Sequence, residues 1–440
     1  MNAPAERNPG VAVTGAGLLC PVAGDVAEFA TALYEGHSGV RVRSPEDDEI
    51  SGGSVRRTPG LAAPLRDFSL ADAVDRLGVS ELLRTRARRL AARAPLPIRA
   101  AVVAALQAWQ DAGLAEETGT GEDTALVVGG QNLASRYTEE CRPRYLNDPA
   151  HLPARYALHM MDTDHVGVLS ALLGITAEGY TLGGASASGN LALVHGARLV
   201  DSGTVRRCLV VGAMADLSEM ELQGLFNLGA MAGTEGNDRP ELRCRPFDRQ
   251  REGFVPGQGV GCLVLERADR ARTRAPAVYG LLAGHAVGLD GNQLSDPDEN
   301  GETRVMIRAI RQAGVEPSAV DCVNTHGTAS RLGDETEARA IENVLGSDVT
   351  RPWINATKGW TGHCLGASGV IEAIAVLLQM RGGFVHPNAN LTDPLHEKLR
   401  FVGGTAEPAR LDYVLSNSFG FGGMNSSLLL AGPEHALRSG

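Results

Sequence analysis

Short apolar runs rich in valine and leucine recur along this chain and alternate with helical patterns. Examples are Ala125-Leu-Val-Val-Gly129, Cys208-Leu-Val-Val-Gly212, Gly261-Cys-Leu-Val-Leu265 and Ser426-Ser-Leu-Leu-Leu430. A run that is apolar at nearly every position, with no in–out alternation, suits a strand buried on both faces. Such strands belong to sheets covered by helices, so the chain is expected to be an α/β protein. Helical periodicity is read over 98–113, 190–200, 304–314 and 334–345. The 54 glycines are dispersed and mark turns, not a low-complexity tract. Segments 46–63 and 286–303 are expected to be surface loops.

A length of 440 residues allows two or three domains. No run reaches the roughly 18 apolar residues that span a bilayer, so no membrane segment is expected. The apolar stretch 10–24 is preceded by Ala-Glu-Arg and interrupted by Thr14, Pro21 and glycines, which suits a strand and turn better than a signal peptide. A cytoplasmic location is expected. The seven cysteines form no C-x-x-C pair, which argues against zinc and disulfides and leaves them as small core residues. A net charge of −11 argues against a nucleic-acid partner. One local exception is Arg84-Thr-Arg-Ala-Arg-Arg-Leu-Ala-Ala-Arg93, a basic stretch on an expected helix. It is either a solvated helix face or a docking surface.

Chemistry concentrates at three places. Ser186 lies in Gly184-Ala-Ser-Ala-Ser-Gly189, a small-residue bend between an extended stretch around Tyr180-Thr-Leu182 and the helical run from Asn190. A side chain at such a corner sits where the first N–H groups of a helix lack intrahelical partners and the helix dipole is positive. That place suits a nucleophile or an oxyanion. The other two segments carry histidines, Val323-Asn-Thr-His326-Gly-Thr328 and Thr357-Lys-Gly-Trp-Thr-Gly-His363. Two decoys fall away. Gly15-Ala-Gly17 begins like a dinucleotide fingerprint, but Cys20 replaces its third glycine. Gly184-Ala-Ser186-Ala-Ser188 nearly makes the G-x-S-x-G elbow of a hydrolase, and Ser188 breaks it. Asp334 and His363 follow in hydrolase order, yet His326 has no role in such a triad. The glycines at 420, 422 and 423 lack any P-loop context and read as a tight loop. His159, His195 and His285 read as ordinary hydrogen-bonded side chains.

The three chemical segments together resemble the active site of the β-ketoacyl-acyl carrier protein synthases, the condensing enzymes of fatty acid and polyketide synthesis. Val11-Ala-Val-Thr-Gly-Ala-Gly17 is similar to the first strand and turn of that family. Arg245-Pro-Phe-Asp248 with Arg251-Glu-Gly-Phe254 and Gly257-Gln-Gly259 is similar to its mid-chain signature, with Gln258 in place of the usual glutamate. Asn417-Ser-Phe-Gly-Phe-Gly-Gly423 resembles its C-terminal loop, with Met424 in place of a common threonine. The order of these motifs over about 400 residues makes the resemblance specific.

The resemblance implies a thiolase-type five-layered αβαβα fold with pseudo-duplicated halves. An N-terminal half, 1–272, would carry Ser186, and a C-terminal half, 273–440, would carry His326 and His363. It implies that both histidines donate to a developing oxyanion, and that backbone N–H groups at Ser186 and Phe421 form a second oxyanion hole. Phe421, followed by Gly422, would gate the acyl pocket. Thr328 and Ser330 would contact pantetheine. Lys358 would count with Ser186, His326 and His363 among the catalytic residues, forming with Glu372 the charged pair that orders the site, and Asp334 and Glu337 would support it. No metal and no cofactor are implied, because substrate arrives on the phosphopantetheine arm of an acyl carrier protein. Arg84, Arg88 and Arg89 become candidates for docking that acidic partner. A homodimer is implied as well.

In that family the position of Ser186 is normally cysteine. A thiol has an ordinary pKa near about 8.5, lowered at a helix N-terminus. A serine hydroxyl needs a positioned base, and no carboxylate-backed histidine is evident. Acylation should be slow or absent while the oxyanion groups remain, so malonyl-carrier protein should lose CO2 and become acetyl-carrier protein. The chain resembles the decarboxylating ketosynthases of polyketide β-branching cassettes, which feed a hydroxymethylglutaryl-synthase-like partner. A serine-acylated transferase or condensing enzyme is the alternative. A non-catalytic chain-length-factor-like subunit is a third reading, weakened by the retained histidines.

Overall fold

A computed structural model describes residues 10–43, 60–65, 67–115, 119–233, 239–274, 277–292 and 295–438. Its main feature is an eleven-stranded sheet. In chain order the strands are β1 (Val11–Leu19), β2 (Thr124–Gly129), β3 (Gly179–Leu182), β4 (Arg207–Gly212), β5 (Val260–Arg267), β6 (Gly280–Leu289), β7 (Cys322–Asn324), β8 (Trp353–Asn355), β9 (Arg400–Phe401), β10 (Tyr413–Gly420) and β11 (Met424–Ala431). The apolar runs read from sequence are β2, β4, β5 and β11. Every residue of β2 and β4 is buried, as strands covered on both faces must be.

The strand order shows an internal duplication. The first set runs β1-β5-β4-β2-β3 and the second runs β6-β11-β10-β7-β8, with β9 added at the edge. In both sets the first two pairings are antiparallel and the next two parallel. The sets meet where Val11, Ala12 and Val13 pair with Leu282, Leu281 and Gly280, so the two stacked sheets share one hydrogen-bonded ladder. Helix Leu96–Asp111 covers β1 and β5 on one outside face, and Glu299–Gln312 covers β6 and β11 on the other. Between the sheets lie Ser188–Asp201 and Ser368–Gly382, each touching strands of both sets. The layers are therefore helix, sheet, helix, sheet, helix.

The stretch Leu365–Gly382 is long and apolar enough to cross a membrane by length and composition, and 83% of it is buried here. A helix that is apolar all round belongs inside a protein core, and this one lies between the two sheets. The two central helices touch at their first turns, where only glycine fits. A Cβ on Gly189 would meet Gly366 O and Val370 N at 2.9 Å, and one on Gly369 would meet Asn190 N at 2.7 Å.

Two loop expectations need correction. Residues 46–59 lie outside the described residues, but Leu61–Ala62 pairs with Arg41–Val42, and Leu61 and Ala63 are buried. In 286–303, β6 continues to Leu289 through pairing with β11, and a helix starts at Glu299. Its polar first turn is capped by Asp298, whose side chain accepts from Asn300 N and Gly301 N, so the sequence looked like loop.

Candidate active site

β3 ends at Leu182, and the 3-10 turn Ala185–Ala187 swings the chain into helix Ser188–Asp201. Ala185 takes the left-handed conformation with φ 47°. Ser188 Oγ holds the corner by accepting from Gly184 N at 2.9 Å and donating to Ala185 O at 2.7 Å. From outside, Gln131 Oε1 accepts from Ala185 N at 3.3 Å. Ser186 is left half-buried at the head of the helix, where N–H groups lack intrahelical partners.

His363 approaches from the second half. Its backbone is pinned in both directions, N to Val255 O at 2.7 Å and O to Gly257 N at 2.9 Å. Nε2 lies 2.8 Å from Ser186 Oγ. Nδ1 accepts the Leu365 N–H at 3.2 Å and lies 3.0 Å from Ser368 Oγ. A nitrogen that accepts a backbone N–H carries no hydrogen of its own, so the hydrogen of a neutral ring is on Nε2. His363 therefore faces Ser186 as a donor, with a hydroxyl and an amide behind it instead of a carboxylate.

His326 follows β7 on a loop fastened by two buried acids. Glu337 accepts from His326 N at 2.8 Å, Gly327 N at 2.9 Å and Asn417 Nδ2 at 3.1 Å. Asp334 accepts from Phe247 N at 2.7 Å and Thr328 N at 3.1 Å. Asp334 thus has no contact with His363, which removes the hydrolase-type triad. Lys358 Nζ donates to His326 O and to Glu372 Oε1, each at 2.5 Å. The two imidazoles stand edge to face, centroids 5.6 Å apart. Phe254 and Phe419 lie against them. His326 Nδ1 is enclosed without a partner, leaving Nε2 as the nitrogen open to the cavity.

Burial sets the charge state. It holds both imidazoles well below their ordinary pKa, with Lys358 reinforcing the effect on each, so both are neutral at pH 7. Burial pushes Glu372 up to about 7 against the opposing pull of Lys358. Asp334 also rises to about 7 by burial, opposed first by the Phe247 N–H.

Ser186, His326, His363, Thr328, Ser330, Asp334, Glu337 and Phe421 all line one cavity of about 1620 Å³. Thr328 Oγ1 donates to Ser330 Oγ at 3.0 Å on its wall. Phe421 is 44% exposed, in the hairpin turn between β10 and β11. Gly422 occupies the same turn with φ 82° but does not line the cavity. Lys358 and Glu372 are buried and stay off the cavity wall, and Lys358 reaches the site through its bond to His326 O. The arginine helix Glu81–Ala91 is not at the cavity. Asp75 holds Arg84 at 3.7 Å and Arg88 at 2.7 Å, while Arg89 is exposed. The basic residues on the wall are Arg243 and Arg331 instead, and sequence reading missed them. It also missed Ser368, whose only signal was the echo of Ala187-Ser-Gly189 in Ala367-Ser-Gly369. Gln258 sits away from the cavity, accepting from Leu65 N and donating to Asp216, each at 3.1 Å. All seven cysteines are buried and unpaired.

Comparison with known proteins gives a consistent result. The family description "Beta-ketoacyl synthase, N-terminal domain" matches residues 8–271, and "Beta-ketoacyl synthase, C-terminal domain" matches 279–392. The polyketide biosynthesis malonyl-ACP decarboxylase PksF of Bacillus subtilis (strain 168) is 36% identical over 97% of both chains. A 3-oxoacyl-[acyl-carrier-protein] synthase 2 of Synechocystis is 30% identical over 95% of this chain and 97% of its own. Among solved structures, a β-ketoacyl synthase from Burkholderia phymatum STM815 superimposes with a TM-score of 0.82 at 27% identity, over 96% of this chain and 99% of the other.

Proposed function

The chain belongs to the β-ketoacyl synthase family, and within it we propose that this protein is a malonyl-acyl carrier protein decarboxylase of polyketide biosynthesis. The observation that carries the proposal is the hydrogen count at His363. Nδ1 is occupied by the Leu365 N–H, so Nε2 donates and cannot take the Ser186 proton. A serine without a base is a poor nucleophile, whereas two neutral imidazoles with N–H groups facing the cavity are good oxyanion donors. With a malonyl thioester in place, the carbonyl oxygen accepts from His326 and His363. The bond to the carboxylate breaks, CO2 leaves, and the electron pair is held as an enolate until carbon takes a proton. Their neutrality follows from burial, which strips an imidazolium of the solvation its charge needs.

The chemistry needs no cofactor. Thr328 and Ser330 suit the amide and hydroxyl groups of a phosphopantetheine arm, and Arg331, exposed on the same wall, suits an acidic carrier protein, whereas Arg243 is paired with Glu252. A homodimer is supported by β3, an edge strand with a neighbour on one side only, since unpaired edges invite pairing. Delivery of the acetyl product to a hydroxymethylglutaryl-synthase-like enzyme, as in β-branching, completes the proposal. The Ser186–His363 contact alone would suit a serine-acylated transferase, but the donor state of Nε2 opposes it.

Intact-mass measurement after mixing with malonyl-carrier protein tests this reading. The carrier should lose the mass of CO2 while the enzyme mass stays constant. A stable acyl adduct on Ser186 as the main product would establish the transferase instead.

A further inference from the structure

We propose that Ser186 delivers the proton to the enolate carbon, so that the residue at the nucleophile's position closes the reaction as an acid. This role rests on the decarboxylase reading. Three observations converge on it. The Ser186 oxygen already accepts the His363 Nε2 hydrogen at 2.8 Å, so its own hydrogen points away from the imidazole. Among the described residues no other group hydrogen-bonds that hydroxyl, and Ser186 lines the same cavity as the two histidines. When His326 and His363 hold the enolate oxygen, the single Nε2 hydrogen of His363 is shared between that oxygen and Ser186 Oγ, which sets the free Ser186 O–H beside the enolate.

The chemistry balances without a further reagent. The C–C bond to the carboxylate breaks and CO2 departs with the enolate left behind. The Ser186 O–H then breaks and a C–H bond forms, giving the acetyl thioester. A thioester enolate carbon is a stronger base than an alkoxide, so the transfer runs downhill. The Nε2 hydrogen of His363 stabilises the alkoxide in the meantime. Water entering the cavity restores the hydroxyl, and the net proton comes from solvent. A general acid must lie within hydrogen-bond reach of its target, and Ser186 lines the cavity beside the two imidazoles that would hold the enolate oxygen.

One other group could compete. Glu302 lines the same cavity, is 1% exposed and has Oε2 without a partner, and burial first and Glu337 next push its carboxyl well above the ordinary pKa.

The test reads the isotope in the product, which does not depend on how fast product forms. Malonyl-carrier protein is turned over in equal parts H2O and D2O, and mass spectrometry gives the deuterium fraction in the newly formed methyl group. Ser186→Ala should shift that fraction from the wild-type value towards the value for protonation by free water. Ser186→Thr, which keeps a hydroxyl, should retain the wild-type fraction, as should Glu302→Gln. An unchanged fraction in Ser186→Ala, or a shift in Glu302→Gln instead, overturns the assignment. So does a Ser186→Ala protein that folds but forms no acetyl product, since the hydroxyl would then act before CO2 loss. If the wild-type protein releases no CO2 at all, the decarboxylase reading itself has failed.

Discussion

The two central helices begin with corners of the same shape and different chemistry. Ala185 and Leu365 both take left-handed conformations, at φ 47° and 49°, and each opens a one-turn 3-10 segment leading into a helix. A serine starts each helix. In the first half Ser188 Oγ closes the corner on its own backbone, and the middle residue, Ser186, presents a hydroxyl. In the second half the middle residue is Gly366, where a Cβ would meet Gly130 Cα at 3.1 Å. There Ser368 Oγ and Leu365 N are turned onto His363. Duplication thus supplied two equivalent helix starts. One displays the Ser186 hydroxyl to the cavity, and the other uses its backbone to fix the tautomer of the histidine that faces it.

Replacing the residue displayed by the first corner should have the largest effect. In Ser186→Cys an iodoacetamide-type alkylator should modify residue 186, because all seven native cysteines are buried. The wild-type chain should remain unlabelled in peptide maps. An unmodified Cys at 186 in a folded variant would mean that the corner does not present its side chain. Next, His363→Ala and His326→Ala should each slow CO2 release by about 10²–10³, the usual loss for one oxyanion donor. A variant with near wild-type release, measured alongside circular dichroism to confirm folding, would remove that histidine from the mechanism.

The contact between corners can be tested by sign. Gly189→Ala should destabilise by about 1–3 kcal/mol in urea unfolding, because its Cβ would press on Gly366 O and Val370 N. Gly224→Ala, in helix Glu219–Asn227 with open space around it, should stabilise by about 0.5–1 kcal/mol. Equal signs for the two would contradict the close crossing. The smallest effect concerns Glu372. Its folded pKa of about 7 lies above its ordinary value of 4.5, so the folded state keeps a proton that the unfolded state has lost. That contribution is present in full below about pH 4.5 and disappears as pH rises through about 7. The stability difference between wild type and Glu372→Gln should therefore fall by up to about 1.4 kcal/mol per pH unit over that window. A pH-independent difference would show that burial does not raise this carboxyl.

Legibility varied with how local each cause was. β2 and β4 were visible because consecutive buried positions leave an unbroken apolar run. Helix Leu96–Asp111 was read two residues short at its start, since Pro95 and Pro97 look like breakers but suit a helix's first turn. β6 was read partly as loop because Val287 and Gly288 owe their strand conformation to pairing with β11. The serine corner and the two histidines stood out through their small-residue and glycine contexts. Arg84 and Arg88 read as free basic surface, because nothing nearby in sequence announced that Asp75 would hold them.

The residue types alone settled that this is a helix-covered sheet protein, that a hydroxyl replaces a thiol at residue 186, and that two histidines accompany it. They could not settle which way the hydrogen between Ser186 and His363 points. That direction depends on Leu365 N–H, and a backbone amide is the same in every residue but proline, so it leaves no mark in a sequence. It depends also on bringing together groups 177 positions apart. Only the folding of one half against the other sets those distances, and with them which atom donates.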